Sequence, residues 1–132
     1  MIAYTMLGTT DLDRAVIFYD RLLGALGAQR VLEFDGAIGW AAPNGPIFCI
    51  TRPADGNAAT VGNGSMIALA AKNPEEVDRL HALALSLGAT DEGTPHQRQR
   101  EDFHYHAGYF RDPDGNKLNV FCLAPAPEPA GL

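Results

Sequence analysis

The chain is poor in features that would mark it for a membrane, a nucleic acid or an oxidising compartment. Its 132 residues contain no run of about 18 apolar side chains, which excludes a membrane-spanning helix from the reading. Basic residues are scarce, 10 Lys and Arg against 16 Asp and Glu, and the net charge of −6 denies it the basic footprint of nonspecific nucleic-acid binding. The start, Met1-Ile2-Ala3-Tyr4-Thr5, has neither the basic nor the apolar segment of a secretory leader, so a cytoplasmic protein is expected. The two cysteines, Cys49 and Cys122, sit in apolar strand-like runs, and reduced buried thiols are expected rather than a disulfide. Phosphate-binding glycine loops, metalloprotease helix motifs and nucleophile elbows are also missing. What remains is 46% hydrophobic and 20% charged residues, an ordinary globular balance on a length suited to one core.

Two helices are legible. Leu12, Ala15, Val16, Tyr19, Leu22, Leu23 and Leu26 recur at helical spacing, with Thr10 as the expected N-cap and Gly27 as the exit. A second helix is expected over residues 74–87. Asn73 caps it, Pro74 takes its first position, Glu76 completes a capping box, and Gly88 ends it. The two segments superpose: Val16, Tyr19, Leu22, Leu26 and Gly27 align with Val77, Leu80, Leu83, Leu87 and Gly88, an offset of 61 (88 − 27). Two turns repeat as well, Pro43-Asn44-Gly45 and Pro113-Asp114-Gly115, at an offset of 70 (114 − 44). In each, a turn-forming Asn or Asp precedes a Gly that tolerates positive φ. The second copy is therefore longer, and the extra length is expected as a polar loop over residues 94–102. Each copy reads strand, helix, strand, strand, strand: module one over residues 1–53 and module two over residues 64–123 of a single domain. The strands are expected over residues 2–7, 30–34, 37–41 and 47–51, then 66–71, a short one near Thr90, 105–111 and 117–123. Residues 124–132, with Pro125, Pro127 and Pro129, are expected as a flexible tail. A helix covers only one face of such a sheet, so the other face needs a second module or a ligand.

Three pieces carry a family resemblance: the helix opening Thr10-Asp11-Leu12-Asp13-Arg14-Ala15, the helix exit Leu26-Gly27-Ala28, and the hairpin Tyr109-Phe110-Arg111-Asp112-Pro113-Asp114-Gly115-Asn116. With the repeat, the chain resembles the vicinal oxygen chelate superfamily of glyoxalase I, fosfomycin- and bleomycin-resistance proteins and extradiol dioxygenases. That resemblance implies an α+β, glyoxalase-like fold in which paired βαβββ modules curl a mixed sheet around a cavity. It also implies a homodimer, with cavities at the subunit interface. In metal-using members the ligands are His or Gln on first strands and Glu on last strands. Here those positions fall on Tyr4, Met66, Cys49 and Asn119. None supplies the carboxylate or imidazole that a divalent ion prefers, so no metal or other cofactor is expected in that place.

Several side chains could carry chemistry. His104 and His106 share a strand face and could bind a divalent metal if His96 or Glu101 approached. The other parity places Tyr105 and Tyr109 together, and the fosfomycin-resistance relatives imply that the tyrosine at the Tyr109 position faces the cavity. Tyr4 and Tyr109 are then candidate acids, and Tyr105 a binding residue. Cys49 could be a cavity-facing thiol or a small core residue. Trp40 could stack a ligand or fill the core. Arg98 and Arg100, in the expected loop, could grip an anion as a lid or simply be solvated. His81 is expected to pack or face solvent. The function expected is capture of a small apolar or aromatic molecule, with or without an anionic group, in a cavity lined by Tyr4, Met66, Tyr105, Tyr109 and Asn119 without the usual metal. A lyase, isomerase or glutathione transferase of the same superfamily, with a noncanonical metal or a tyrosine acid, is the alternative.

Overall fold

The computed structural model describes residues 1–124; the expected tail lies almost wholly outside the described residues. Strand β1 (Tyr4–Gly8) leads into helix α1 (Leu12–Gly24), then β2 (Gln29–Phe34), β3 (Ala37–Ala41) and β4 (Ile47–Thr51). The order recurs in β5 (Ile67–Ala70), α2 (Pro74–Ser86), β6 (Thr90–Arg100), β7 (Phe103–Arg111) and β8 (Lys117–Leu123). The fold is α+β, and each βαβββ module builds its own four-stranded mixed sheet, ordered β1-β4-β3-β2 and β5-β8-β7-β6. The first strand of each module runs parallel to the last, because the helix carries the chain back across the sheet; the other pairs are antiparallel.

The repeat extends to individual hydrogen bonds. Ala28 N donates to the Leu23 carbonyl at 3.0 Å, and Ala89 N to the Ala84 carbonyl at 3.0 Å. Between donor and acceptor, Gly27 and Gly88 take φ of +82° and +109°, where a side chain would be strained. The helix starts differ from expectation in detail. Asp11, not Thr10, caps α1, its Oδ1 accepting from Arg14 N at 3.1 Å. Thr10 is engaged elsewhere, giving its N–H to Asp114 Oδ1 at 3.0 Å. At α2, Asn73 Oδ1 accepts from Glu76 N at 2.8 Å, while the Glu76 carboxylate reaches Lys72 N, one residue before the cap.

The polar stretch expected as a loop is instead the outer half of β6. Pairing with β7 continues to Arg100 opposite Phe103, and Glu101 makes the turn with φ of 54°. Polar composition did not prevent a strand there because β6 is the sheet edge and keeps one side in water. Pro95 sits within an irregularity of the register, where its missing N–H breaks no ladder.

Each helix covers one sheet face, and the helices also meet each other. Tyr19 packs against Trp40 and Phe48, Phe18 reaches Phe110 of module two, and Leu22, Ile50, Val77, Leu80, Ala84, Leu118 and Val120 join them in one buried core. The modules are clamped by polar contacts from the β7–β8 turn. Tyr19 Oη donates to Asp112 Oδ2 at 2.6 Å. Asp114 accepts from Thr9 Oγ1 at 2.6 Å and from Arg14 at 2.9 Å, and Asn116 Nδ2 donates to the Gly8 carbonyl at 2.9 Å. The corresponding turn of module one, Pro43-Asn44-Gly45, makes no hydrogen bond to module two among the described residues.

Candidate functional site

Strand parity gives each sheet a second face, turned away from its helix. In module one, Tyr4 and Met6 of β1, Cys49 of β4, and Leu32 and Phe34 of β2 share that face and line a cup of about 250 Å³. Its floor is flat because of Gly39: a Cβ there would lie 2.8 Å from Ile47 Cγ2 and 3.1 Å from Cys49 Sγ. The rim is apolar yet open, with Tyr4 60% and Phe34 66% exposed. Burial pushes the Cys49 thiol up, which keeps it protonated and a poor nucleophile.

The equivalent face of module two is aromatic and cationic. Tyr109 stands opposite Asn119 in the ladder, Tyr105 opposite Leu123 and Arg98, and Arg111 opposite Lys117. The Arg98 guanidinium lies 4.8 Å from the centre of the Tyr109 ring, and Lys117 Nζ lies 5.7 Å from it. Arg98 is held in place by donating to the Ala107 and Thr94 carbonyls at 3.2 and 3.1 Å. Tyr105 forms an aromatic cluster with Phe103 and Phe121, at 5.4 and 5.6 Å between ring centres. Its hydroxyl is held above the usual phenol range, first by bonding to Tyr109 and then by burial. Asn119 is 3% exposed, and its Oδ1 has no hydrogen-bond partner.

Within one chain these residues divide into separate groups. Tyr4 and Cys49 belong to the face of module one; Tyr105, Tyr109, Asn119, Arg98 and Arg100 belong to that of module two. Met66, just before β5, borders two hollows, one of about 480 Å³ beside the end of α1 together with Trp40 and one of about 460 Å³ together with Arg111 and Lys117. A single chain therefore does not gather Tyr4, Met66 and Asn119 around one cavity. Trp40 is 1% exposed and its Nε1 donates to Asp20 at 2.9 Å, which makes it chiefly a core residue. Arg98 and Arg100 stand on a paired strand, not on a lid loop.

The histidines lie elsewhere. His106 Nε2 is 2.8 Å from Asp78 on α2, on the helix side of the sheet, and His104 shares its parity. His96 Nδ1 bonds the Thr94 carbonyl at 2.9 Å. Among the described residues no three His, Cys, Asp or Glu side chains group closely enough to hold a metal ion. The four positions that the family uses for metal offer a phenol, a thiol, a thioether and an amide. That donor set does not fit a hard divalent ion, whichever modules are brought together. His81 is buried, with Nε2 3.0 Å from the Tyr109 carbonyl and 3.1 Å from Asp91, so it braces β7 from behind.

Sequence reasoning missed Lys117, Phe103 and Phe121 on the module-two face. The period-two rule applied outward from Tyr109 and Asn119 could have found all three.

This geometry, two βαβββ modules each covering one sheet face with a helix and leaving the other open, defines a class that comparison identifies. The chain belongs to the Glyoxalase/Bleomycin resistance protein/Dioxygenase superfamily, which it matches over residues 1–120. It is similar to the crystal structure of a glyoxalase/bleomycin resistance protein from Albidiferax ferrireducens T118, with 37% identity and a TM-score of 0.85 over 92% of this chain and 98% of that one. A glyoxalase/bleomycin resistance protein/dioxygenase family enzyme from Burkholderia phytofirmans PsJN superposes at a TM-score of 0.74 with 16% identity, covering 92% and 98% of the two chains. The lactoylglutathione lyase of Agrobacterium tumefaciens superposes at 0.67 with 24% identity, covering 92% of each. These last two likenesses show the fold alone. No curated protein matches the chain. None of the described helices is long and apolar enough to cross a membrane.

Proposed function

We propose that this member of the superfamily is a cytoplasmic homodimer that binds a small aromatic or apolar molecule without the family's usual metal. The observation that carries the reading is the pair of open apolar faces. Tyr4, Met6 and Phe34 on one, and Phe103 and Leu123 on the other, are each at least 49% exposed. Contiguous exposed apolar surface of this kind is costly on a monomer and marks a binding surface. The module-one cup, at about 250 Å³, is half a pocket. Small-molecule sites enclose about 300–1,000 Å³, and closing this cup with the aromatic face of a second copy's module two brings it into that range. The substituted ligand positions then become lining: a phenol, a thiol and an amide in place of imidazole and carboxylate.

The test has two parts. Sedimentation analysis is expected to find a dimer. A thermal-shift screen of small aromatic compounds is expected to give stabilisation that EDTA leaves unchanged. A monomer that no compound stabilises refutes the binding reading, and stabilisation abolished by EDTA refutes its metal-free part.

A further inference from the structure

Among the described residues five cations are matched with carboxylates, whereas Arg98 and Lys117, which flank Tyr109 on the module-two face, are not, and neither are Arg100, Arg21 and Lys72. Arg14, Arg30, Arg52, Arg79 and Arg111 all lie in ion pairs. Among the described residues none of these pairs engages Arg98, Arg100 or Lys117, although acidic residues outnumber basic ones 16 to 10. Arg98 and Lys117 both converge on the Tyr109 ring, at 4.8 and 5.7 Å. A second copy cannot neutralise them with its own open face, because the β1–β4 side chains of that face are Tyr4, Met6, Leu32, Phe34, Ile47 and Cys49, none acidic. The acids adjacent to that set in sequence, Glu33 and Asp35, lie beside cations of their own module, Arg30 at 2.8 Å and Arg52 at 3.9 Å. Beside these charges lies the second observation. Asn119, directly across the ladder from Tyr109, is 97% buried and leaves its Oδ1 acceptor without a partner. A buried acceptor left empty costs free energy that a donor on a ligand recovers.

We infer that the molecule bound at this face is an aromatic monoanion that also carries a hydrogen-bond donor. Its carboxylate, or a comparable anion, lies between Arg98 and Lys117 beside Tyr109. Its O–H or N–H donates to Asn119 Oδ1. The Lys117 side chain, flexible and unpaired, shifts to admit it. This rests on the binding reading above and specifies the ligand class of that site. A carboxylate at residue 119 would repel the anion that the cations attract.

The probes are 4-hydroxybenzoate, its uncharged methyl ester, and 4-methoxybenzoate, which keeps the charge and lacks the donor. Titration calorimetry on the intact protein is expected to rank the hydroxy acid first. The ester and the methoxy acid should each bind about tenfold more weakly or worse, as loss of one hydrogen bond to a charged or buried group implies. Lys117→Met and Arg98→Met, both on an open face, should erase the preference for acid over ester. Asn119→Leu should erase the preference for hydroxy over methoxy. Each readout is a ratio within one variant, so a modest loss of stability does not mimic it. Equal binding of acid and ester overturns the inference while leaving an apolar binding site intact. If none of the three probes binds, while neutral aromatics still stabilise the protein, the inference falls alone. If no aromatic compound of any charge binds, the binding reading falls with it.

Discussion

Replacing Tyr19 by Phe removes one oxygen and tests how the two modules are joined. The ring stays packed against Phe18 at 4.8 Å, Phe48 at 4.9 Å and Trp40 at 5.9 Å. The lost contact is the 2.6 Å hydrogen bond from Tyr19 Oη to the buried Asp112 carboxylate. Asp112 keeps three donors, the backbone N–H of Asp114 and Asn116 on Oδ1, both at 2.9 Å, and Asn116 Nδ2 on Oδ2 at 3.0 Å. The carboxylate is weakened rather than orphaned, and a bond to a charged group contributes about 1.5–3 kcal/mol. Taking about 2 kcal/mol, and an unfolding entropy of about 2.1 cal/mol/K per residue, the melting point falls by about 7 °C. The pH dependence is the sharper signature. Burial holds the Asp112 pKa above the ordinary carboxylate range, with the bonds from Tyr19 and Asn116 opposing that rise. A raised folded-state pKa means that the group's contribution to stability is complete below the unfolded value of about 3.9 and is lost as pH rises through the folded value. Tyr19 serves the charged form, so its removal pushes Asp112 further up and costs most at neutral pH. The destabilisation by Tyr19→Phe should therefore shrink as pH falls from 7 toward 4. Urea unfolding of both proteins across that range measures it. A loss below about 0.5 kcal/mol at pH 7, or one independent of pH, would refute the assignment of Asp112 as a charged buried anchor.

Other consequences can be checked alongside. Asp114→Ala removes the acceptor shared by Thr9, Thr10 and Arg14 and should cost about 2–3 kcal/mol in urea unfolding, with the Arg14 contact, half in water, contributing little of it. Gly108→Ala would place a Cβ 2.6 Å from Pro95 Cγ and 2.9 Å from His81 Cδ2, and thermal melting should show a loss of about 1–3 kcal/mol from overpacking. Phe34→Arg puts a charge on the exposed rim of the module-one cup, of the same sign as Arg98 and Lys117 on the face proposed to close it, and should convert a dimer to monomer in sedimentation, with no loss of helix content by circular dichroism. The Cys49 thiol, held above its usual range by burial, should react with iodoacetamide more slowly than a free cysteine at pH 8.

Much of the fold is legible in the chain because its signals are local. The apolar stripes, Asn73 and Pro74 at one helix entrance, and Gly27 and Gly88 at both exits need no tertiary context. Where the reading failed, a distant partner decided. Thr10 has the chemistry of an N-cap, but Asp114 takes up its N–H and hydroxyl, and Asp11 caps instead. The stretch from Thr94 onward is polar enough to read as a loop, and only its pairing with β7 makes it a strand. For the candidate residues, parity made legible which strand face each occupies, as with Tyr105, Tyr109 and Asn119. The division of the site between two sheets was not, because nothing in a linear pattern states which faces of two modules meet.

The β7–β8 turn also has a bearing on the order in which the protein can assemble. The hydroxyl of Thr9, at the entrance of α1, finds its acceptor in Asp114, 105 residues later. Chains emerge from the ribosome at about 5–20 residues per second, so the first module waits several seconds for the group that secures it. Module one gives nothing comparable in return, since its own turn at Asn44 makes no hydrogen bond to module two among the described residues. The dependence runs one way. A fragment truncated before residue 112 is expected to lack a secured first helix despite containing all of its sequence.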